Sequence, residues 1–198
     1  VMTIFRSDSG RNLRFCNAAG AKGARRGRFR RQVGAGMPKS ALPEEETMML
    51  HEVIAQAAIP AERITLRPLR LSDAGLVAHH AGDLRVARGT KSIPHPYPPG
   101  AAEQLVASAL ASDRNRDIWA IDGAAQGWGE VVGLVTLTRL DRRQSEISYW
   151  VAPAFWNTGI ASEAVRALIA ANPHGAAQIF AEVFQDNPGS ARVLTNCG

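Results

Sequence analysis

An α/β protein built on a mixed (α+β) sheet, antiparallel through its middle and parallel at its last pair, is the fold class predicted for this 198-residue chain. Three features predict it. Strand-like runs at 118–121, 130–140 and 145–151 follow one another through short connections, the pattern of an antiparallel meander. The run at 145–151 then leads into a helical stretch and on to another strand-like run at 178–184, which implies a parallel pair with a right-handed crossover. Finally, 198 residues with 45% hydrophobic content can bury one core, and no apolar run approaches the length of a membrane span.

The elements follow in order. Ile64 to Leu69 reads as a first strand, and Ser72-Asp73 as the cap of a helix through about Gly82. Prolines at alternate positions make 93–100, Ile-Pro-His-Pro-Tyr-Pro-Pro-Gly, an extended loop. A helix from about Ala101 to Ser112 has Leu105, Val106, Ala109 and Leu110 on its inner face. After the meander's first two strands, the run 145–151 alternates: Ile147, Tyr149 and Val151 on one face, Glu146, Ser148 and Trp150 on the other. Pro153 ends that ladder because it has no N–H to donate. Ile160, Ala164, Val165, Leu168 and Ile169 then recur at helical spacing from Gly159 until Asn172-Pro173.

The turn from 156 to 162, Trp-Asn-Thr-Gly-Ile-Ala-Ser, carries the chemistry. A helix start leaves four N–H groups without intrahelical partners and holds the positive end of the macrodipole, so it favours an anion. Small residues at Gly159 and Ala161 let a pyrophosphate approach the backbone. The alternative for the same turn is a plain capped helix start, with Thr158 or Ser162 as the cap. No lysine follows the glycine and there is no G-x-G-x-x-G, which argues against a P-loop triphosphatase or a dinucleotide enzyme. Metal ligation is not expected, since neither Cys16 nor Cys197 has a second cysteine or a histidine at ligand spacing.

Four stretches in this order resemble the GCN5-related N-acetyltransferases (GNAT), in the branch similar to the ribosomal-protein alanine acetyltransferases (RimJ/RimL-like). They are 63–68 (Arg-Ile-Thr-Leu-Arg-Pro), 146–151 (Glu-Ile-Ser-Tyr-Trp-Val), 156–164 (Trp-Asn-Thr-Gly-Ile-Ala-Ser-Glu-Ala) and 187–194 (Asn-Pro-Gly-Ser-Ala-Arg-Val-Leu) with Cys197-Gly198. The resemblance covers roughly residues 62–198 and implies a GNAT acyl-CoA acyltransferase fold with acetyl-CoA as co-substrate and no metal. It implies that backbone N–H groups of Asn157, Thr158, Gly159, Ile160, Ala161 and Ser162 hold the pyrophosphate. Backbone groups of Trp150, Val151 and Ala152 would pair with the pantetheine arm between two splayed strands, one N–H polarising the thioester. Asn187 and Ser190 match positions that contact the arm, although Asn187-Pro188 is also a turn signal.

The reaction implied is transfer of an acetyl group to a primary amine, a protein N-terminal α-amino group or a small amine, by direct attack in a ternary complex. Glu146 is the expected base, directly or through water, because it lies beside the proposed acyl site and shares a face with Ser148. An α-amino group with a pKa of about 7.7 to 8.0 is roughly a tenth neutral at pH 7, whereas a lysine is neutral roughly once in two thousand, so a weak base suits the former. Relatives often carry a tyrosine seven residues after the asparagine, where it protonates the leaving thiolate; here that residue is Leu194, and water or Ser148 is the expected donor. The first helices and the proline-rich loop should build the acceptor pocket, with His79, His80, His95 and Tyr97 as polar contributors.

Charge is unevenly placed. Residues 1–39 hold ten Lys/Arg against one Asp, +9 of formal charge, and the remainder carries −4 for a net +5. Lacking apolar periodicity, residues 1–48 are expected to be a disordered basic extension, read as upstream translation or as an arm contacting RNA or another polyanion through residues 1–39. Residues 49–198 are then the acetyltransferase domain, incomplete at its C-terminus and lacking the last two strands of the fold. On that reading the run 178–184 is an unpaired edge. A cytoplasmic, non-membrane enzyme, monomer or homodimer, is expected; the alternative is a non-catalytic acyl-CoA-binding fold or an RNA-binding module with a basic arm.

Overall fold

The computed structural model describes residues 2–7, 15–17, 56–140 and 143–197. Its strands are β1 (Met2–Ser7), β2 (Phe15–Asn17), β3 (Ile59–Pro60), β4 (Thr65–Pro68), β5 (Arg116–Asp122), β6 (Gly133–Arg139), β7 (Gln144–Val151) and β8 (Gln178–Val183). Its helices, numbered here in chain order, are α1 (Ala74–Ala81), α2 (Leu84–Arg88), α3 (Ala101–Leu110), α4 (Ile160–Ala171) and α5 (Pro188–Asn196). The sheet order is β2-β1-β8-β7-β6-β5-β4-β3. Every neighbouring pair is antiparallel except β7 and β8, so the mixed sheet with its single parallel pair is as the sequence predicts.

Helices cover both faces, and the strand alternation sorts the side chains between them. Val77, Val106, Ile118, Ala120 and Leu134 form one buried cluster on the α1/α3 side, with Trp150 packed against it. Ile147, Val151, Ile160, Val165 and Leu168 belong to the larger cluster on the α4 side. Leu194 is buried in that second cluster at 5% exposure.

Two expectations are corrected here. The run 178–184 is not an unpaired edge: β8 pairs antiparallel with β1 from Met2↔Val183 to Ser7↔Gln178, and β2 extends the sheet once more. An edge strand presents a row of unmet N–H and C=O groups, and the Thr3, Ile4 and Phe5 run has the β-propensity to meet them. Residues 2–7 and 15–17 are thus strands, not a disordered arm, whereas the arginine-rich stretch at 25–31 and the rest of 18–55 lie outside the described residues. Strand β3 and helix α2 were not expected; two and five residues respectively are too short to show a period. Asp83 starts α2 by accepting a hydrogen bond from Arg85 N–H at 2.8 Å.

A buried ion cluster ties β4 to the helices on its face. The carboxylate of Asp73, 1% exposed, accepts from Arg67 Nη1 at 2.8 Å, Arg67 Nη2 at 2.9 Å and the Arg70 N–H at 2.7 Å. Arg67 Nε also donates to Asp122 Oδ2 at 2.7 Å. Asp73 was expected to cap the helix, but its side chain makes no such bond to α1 and instead pins the 3-10 turn Leu71–Asp73 to the sheet.

One glycine sets how closely β6 and β7 approach. At Gly133 a Cβ would run into the Trp150 carbonyl oxygen and meet Val151 Cα at 3.0 Å. Gly133→Ala is therefore expected to push β7 outward and cost about 1–3 kcal/mol, as overpacking does; chemical denaturation of the variant beside the parent measures it.

Candidate active site

The β7–β8 pair opens where the site begins. Register runs from Gln144↔Gln178 to Ile147↔Ala181 and stops there, while β7 continues to Val151. Backbone groups of alternate residues in an antiparallel strand point to the same edge. Gln144 C=O and Ala152 N–H both bond toward β6, to Leu140 N–H and Val132 C=O at 2.8 Å each. Trp150 falls in the same phase, so it is Tyr149 and Val151 that point their backbone groups to the parted side. This corrects the expectation for Ala152, whose N–H is already engaged, and shifts the available edge by one residue. The Val151 carbonyl accepts from the Trp156 indole Nε1 at 2.7 Å, which holds the following turn in place.

That turn has the open donors the sequence suggested. Asn157 and Gly159 adopt left-handed backbone, φ 62° and 86°, conformations that asparagine and glycine tolerate. No side chain caps α4. Thr158 Oγ1 donates instead to the Phe155 carbonyl at 2.6 Å, which removes the capped-helix alternative for that residue. Among the described residues, no hydrogen bond engages the N–H groups from Asn157 to Ser162, so the helix start leaves these donors open.

A clamp missed from sequence braces this turn. Glu163, 7% exposed in the first turn of α4, accepts from the Arg63 N–H at 2.6 Å and from Arg63 Nε at 2.8 Å. Arg63 Nη1 in turn donates to the Thr158 carbonyl at 3.1 Å, and its guanidinium lies 5.9 Å from the Trp128 ring centroid. The two residues are 100 positions apart, so no local pattern announces the pair.

Two cavities meet at this end of β7. The first, about 710 Å³, runs from the turn along the parted strands to α5 and is lined by Asn157, Gly159, Ala161, Ser162, Val151 and Asn187 among others. Arg85, Arg88 and Arg192 line it against a single acid, Asp186, which suits an anionic ligand. The second, about 680 Å³, lies over the opposite face of the sheet and is lined by Glu146, Ser148, Tyr97, Thr136, Arg116 and Glu182 among others. Gly89, Thr90, Tyr149, Trp150 and Ser190 line both. A donor in one and an acceptor in the other would meet at that shared wall.

Asn187 and Ser190 sit where the two roles proposed for them overlap. Asn187 Oδ1 accepts from the Ser190 N–H at 3.0 Å and starts α5, the structural role of a cap. The Ser190 hydroxyl lies 2.8 Å from the Tyr149 hydroxyl. Burial, the largest influence on Tyr149, pushes its phenol up to about 12, so it stays protonated as a donor at neutral pH. The Glu146 carboxylate has no hydrogen-bond or ion-pair partner among the described residues, and Glu146 lines the second cavity, as does Ser148. Of the polar residues expected around the acceptor, Tyr97 lines the cavity; His79 and His95 are exposed and are not among its lining residues. His80 packs near Trp150, ring centroids 6.4 Å apart.

Comparison with known proteins converges on one family. The model of the acetyltransferase (GNAT) domain matches residues 63–198. No curated protein sequence matches the chain significantly. An acetyltransferase of the GNAT family from Bacillus anthracis is similar in fold, with TM-score 0.60 and 21% identity over 72% of this chain and 82% of that one. The ribosomal-protein-S5-alanine acetyltransferase from Vibrio fischeri gives TM-score 0.60 at 19% identity, over 72% and 82%. RimL, a ribosomal L7/L12 α-N-protein acetyltransferase solved with coenzyme A, gives TM-score 0.60 at 17% identity, over 69% and 80%.

Proposed function

Because the chain belongs to the GNAT acetyltransferase family, we propose that it moves an acetyl group from acetyl-CoA to a primary amine, a protein N-terminal α-amino group or a small amine, by direct attack in a ternary complex. The observation that carries this reading is the row of unengaged N–H groups from Asn157 to Ser162 opening onto the first cavity, beside the parted strands. Acetyl-CoA supplies an acyl carbon already activated as a thioester. Everything else falls to the residues described.

The N–H groups of Asn157 to Ser162 would hold the diphosphate, and Arg63 with Glu163 would keep their turn rigid. The Val151 N–H, on the side of β7 left unpaired beyond Ile147, would polarise the acyl carbonyl. In the second cavity the amine would lie over Ser148, with Glu146 taking its proton directly or through one water as the N–C bond forms and the C–S bond breaks. A proton from water, from Ser148 or from the Tyr149–Ser190 hydroxyl pair would return to the departing sulfur.

A thiol-release assay with acetyl-CoA and a panel of peptides with free N-termini, polyamines and aminoglycosides tests the reading. Amine-dependent release is expected; coenzyme A binding without release for any amine would point to a non-catalytic fold. Glu146→Gln is expected to lower turnover about 100-fold while leaving coenzyme A affinity in place, and unchanged turnover would remove Glu146 from the mechanism. Among the described residues no helix is long and apolar enough to cross a membrane.

A further inference from the structure

The floor of the second cavity is a grid whose rows can be read from the strand register. Arg116 on β5 stands opposite Thr138 on β6, and Thr138 stands opposite Glu146 on β7. All three side chains line the cavity. Two residues further along lies the row Ile118, Thr136, Ser148, and beyond it Ala120, Leu134, Trp150. The cavity is therefore polar at the Glu146 end and apolar toward the shared wall.

The charges in this cavity are not all satisfied by one another. Lys91 pairs with Glu182. Glu146 and Arg116 have no ion-pair partner among the described residues, and Arg116 uses one donor, Nη2, on the neutral Ser108 hydroxyl at 3.2 Å. The remaining N–H groups of its fork are the geometry that recognises a carboxylate in two places at once. Two strand spacings separate Arg116 from Glu146, about 10 Å between their backbones. An unpaired anion and an unpaired cation lining one concavity describe the two ends of a ligand.

We infer that the acceptor carries a carboxylate as well as its amine, and that Arg116 holds that carboxylate while the amine lies by Glu146 and Ser148. The inference rests on the acetyltransferase reading. Such an acceptor is an acidic peptide N-terminus, with Asp or Glu close behind the free α-amino group, or a small ω-amino acid; the chemistry is shared and the test separates the two sources. Arg116 is a specificity residue here and takes no part in bond making.

The test is a set of matched acceptors on the full chain: Ala-Ala-Glu-Ala amide against Ala-Ala-Gln-Ala and Ala-Ala-Lys-Ala amides, and 8-aminooctanoate against octylamine. The acidic member of a set is expected to have a kcat/KM about tenfold higher than its neutral partner, the size of one charge-assisted contact. Preference in the peptide set alone assigns a peptide N-terminus, and preference in the amine set alone a small amino acid. Arg116→Gln should erase the preference by bringing the acidic acceptor's kcat/KM down to that of its neutral partner, and Arg116→Glu should shift it toward the lysine peptide. Ser108→Ala, which removes the same internal contact but keeps the cation, should retain it. Equal rates within both sets, no acetylation of the acidic acceptors, or a preference that survives Arg116→Gln, would overturn the inference. Thermal protection by coenzyme A, measured on the same samples, reports separately on the acetyltransferase reading, since its loss would mean that no donor site exists.

Discussion

Gly159→Glu is expected to abolish the protection that coenzyme A gives the chain against heat. At a ligand concentration 100 times Kd the parent should gain about 2.7 kcal/mol, a rise in Tm of about 5–10 °C for a domain of this size. Gly159 sits at φ 86°, and a Cβ there would meet Arg63 Nη2 at 3.4 Å, the guanidinium that braces the turn. Glutamate adds left-handed backbone strain of about 1–2 kcal/mol and places an anion where the unengaged N–H groups face out. Gly159→Asn separates the two effects, because asparagine tolerates the left-handed region and brings no charge; it should keep much of the protection. Undiminished protection in the glutamate variant would place the diphosphate elsewhere.

Asp73→Ala should be strongly destabilising. It strips a buried arginine of its bidentate partner, leaving Arg67, 6% exposed, with Asp122 and two backbone carbonyls. Breaking a buried pair from one side costs about 3–5 kcal/mol, or roughly a 10 °C fall in Tm. Replacing both partners, Arg67→Met with Asp73→Leu, should cost less, since the only carboxylate left without its arginine is then Asp122, whose side chain is 17% exposed. Burial alone would raise the Asp73 carboxyl, but the hydrogen bonds from Arg67 and the Arg70 N–H outweigh it and hold the pKa below the ordinary value. A carboxyl depressed in the folded state stabilises fully above its unfolded value of about 3.9, and that contribution fades as pH falls toward the folded value. Acid melts of the parent should therefore steepen below about pH 4 relative to Asp73→Asn, and coincident acid profiles would contradict the assignment.

The meander, the crossover and the open helix start were legible because each has a local cause: side-chain alternation in 145–151, a helical period from Ile160, small residues at 159 and 161. What escaped depends on distant partners. Side-chain phase says where Trp150 and Ala152 point their side chains, but which edge their N–H groups face follows only from the pairing with β6. The Arg63–Glu163 clamp joins residues far apart in the chain, and Arg116 becomes interesting only once Thr138 sets it in line with Glu146. Strand β1 was hidden by the basic composition around it, which reads as disorder until β8 offers an edge to pair. His79 and His95 were nominated for their chemistry alone, and helix phase and loop geometry leave both exposed.

A crystal structure of the full chain grown with coenzyme A tests the account most directly. The diphosphate oxygens should lie within hydrogen-bond distance of N–H groups between Asn157 and Ser162, with the sulfur at the wall formed by Tyr149, Trp150 and Ser190. Coenzyme A bound away from that helix start, or those N–H groups closed by the protein's own side chains in the complex, would contradict it.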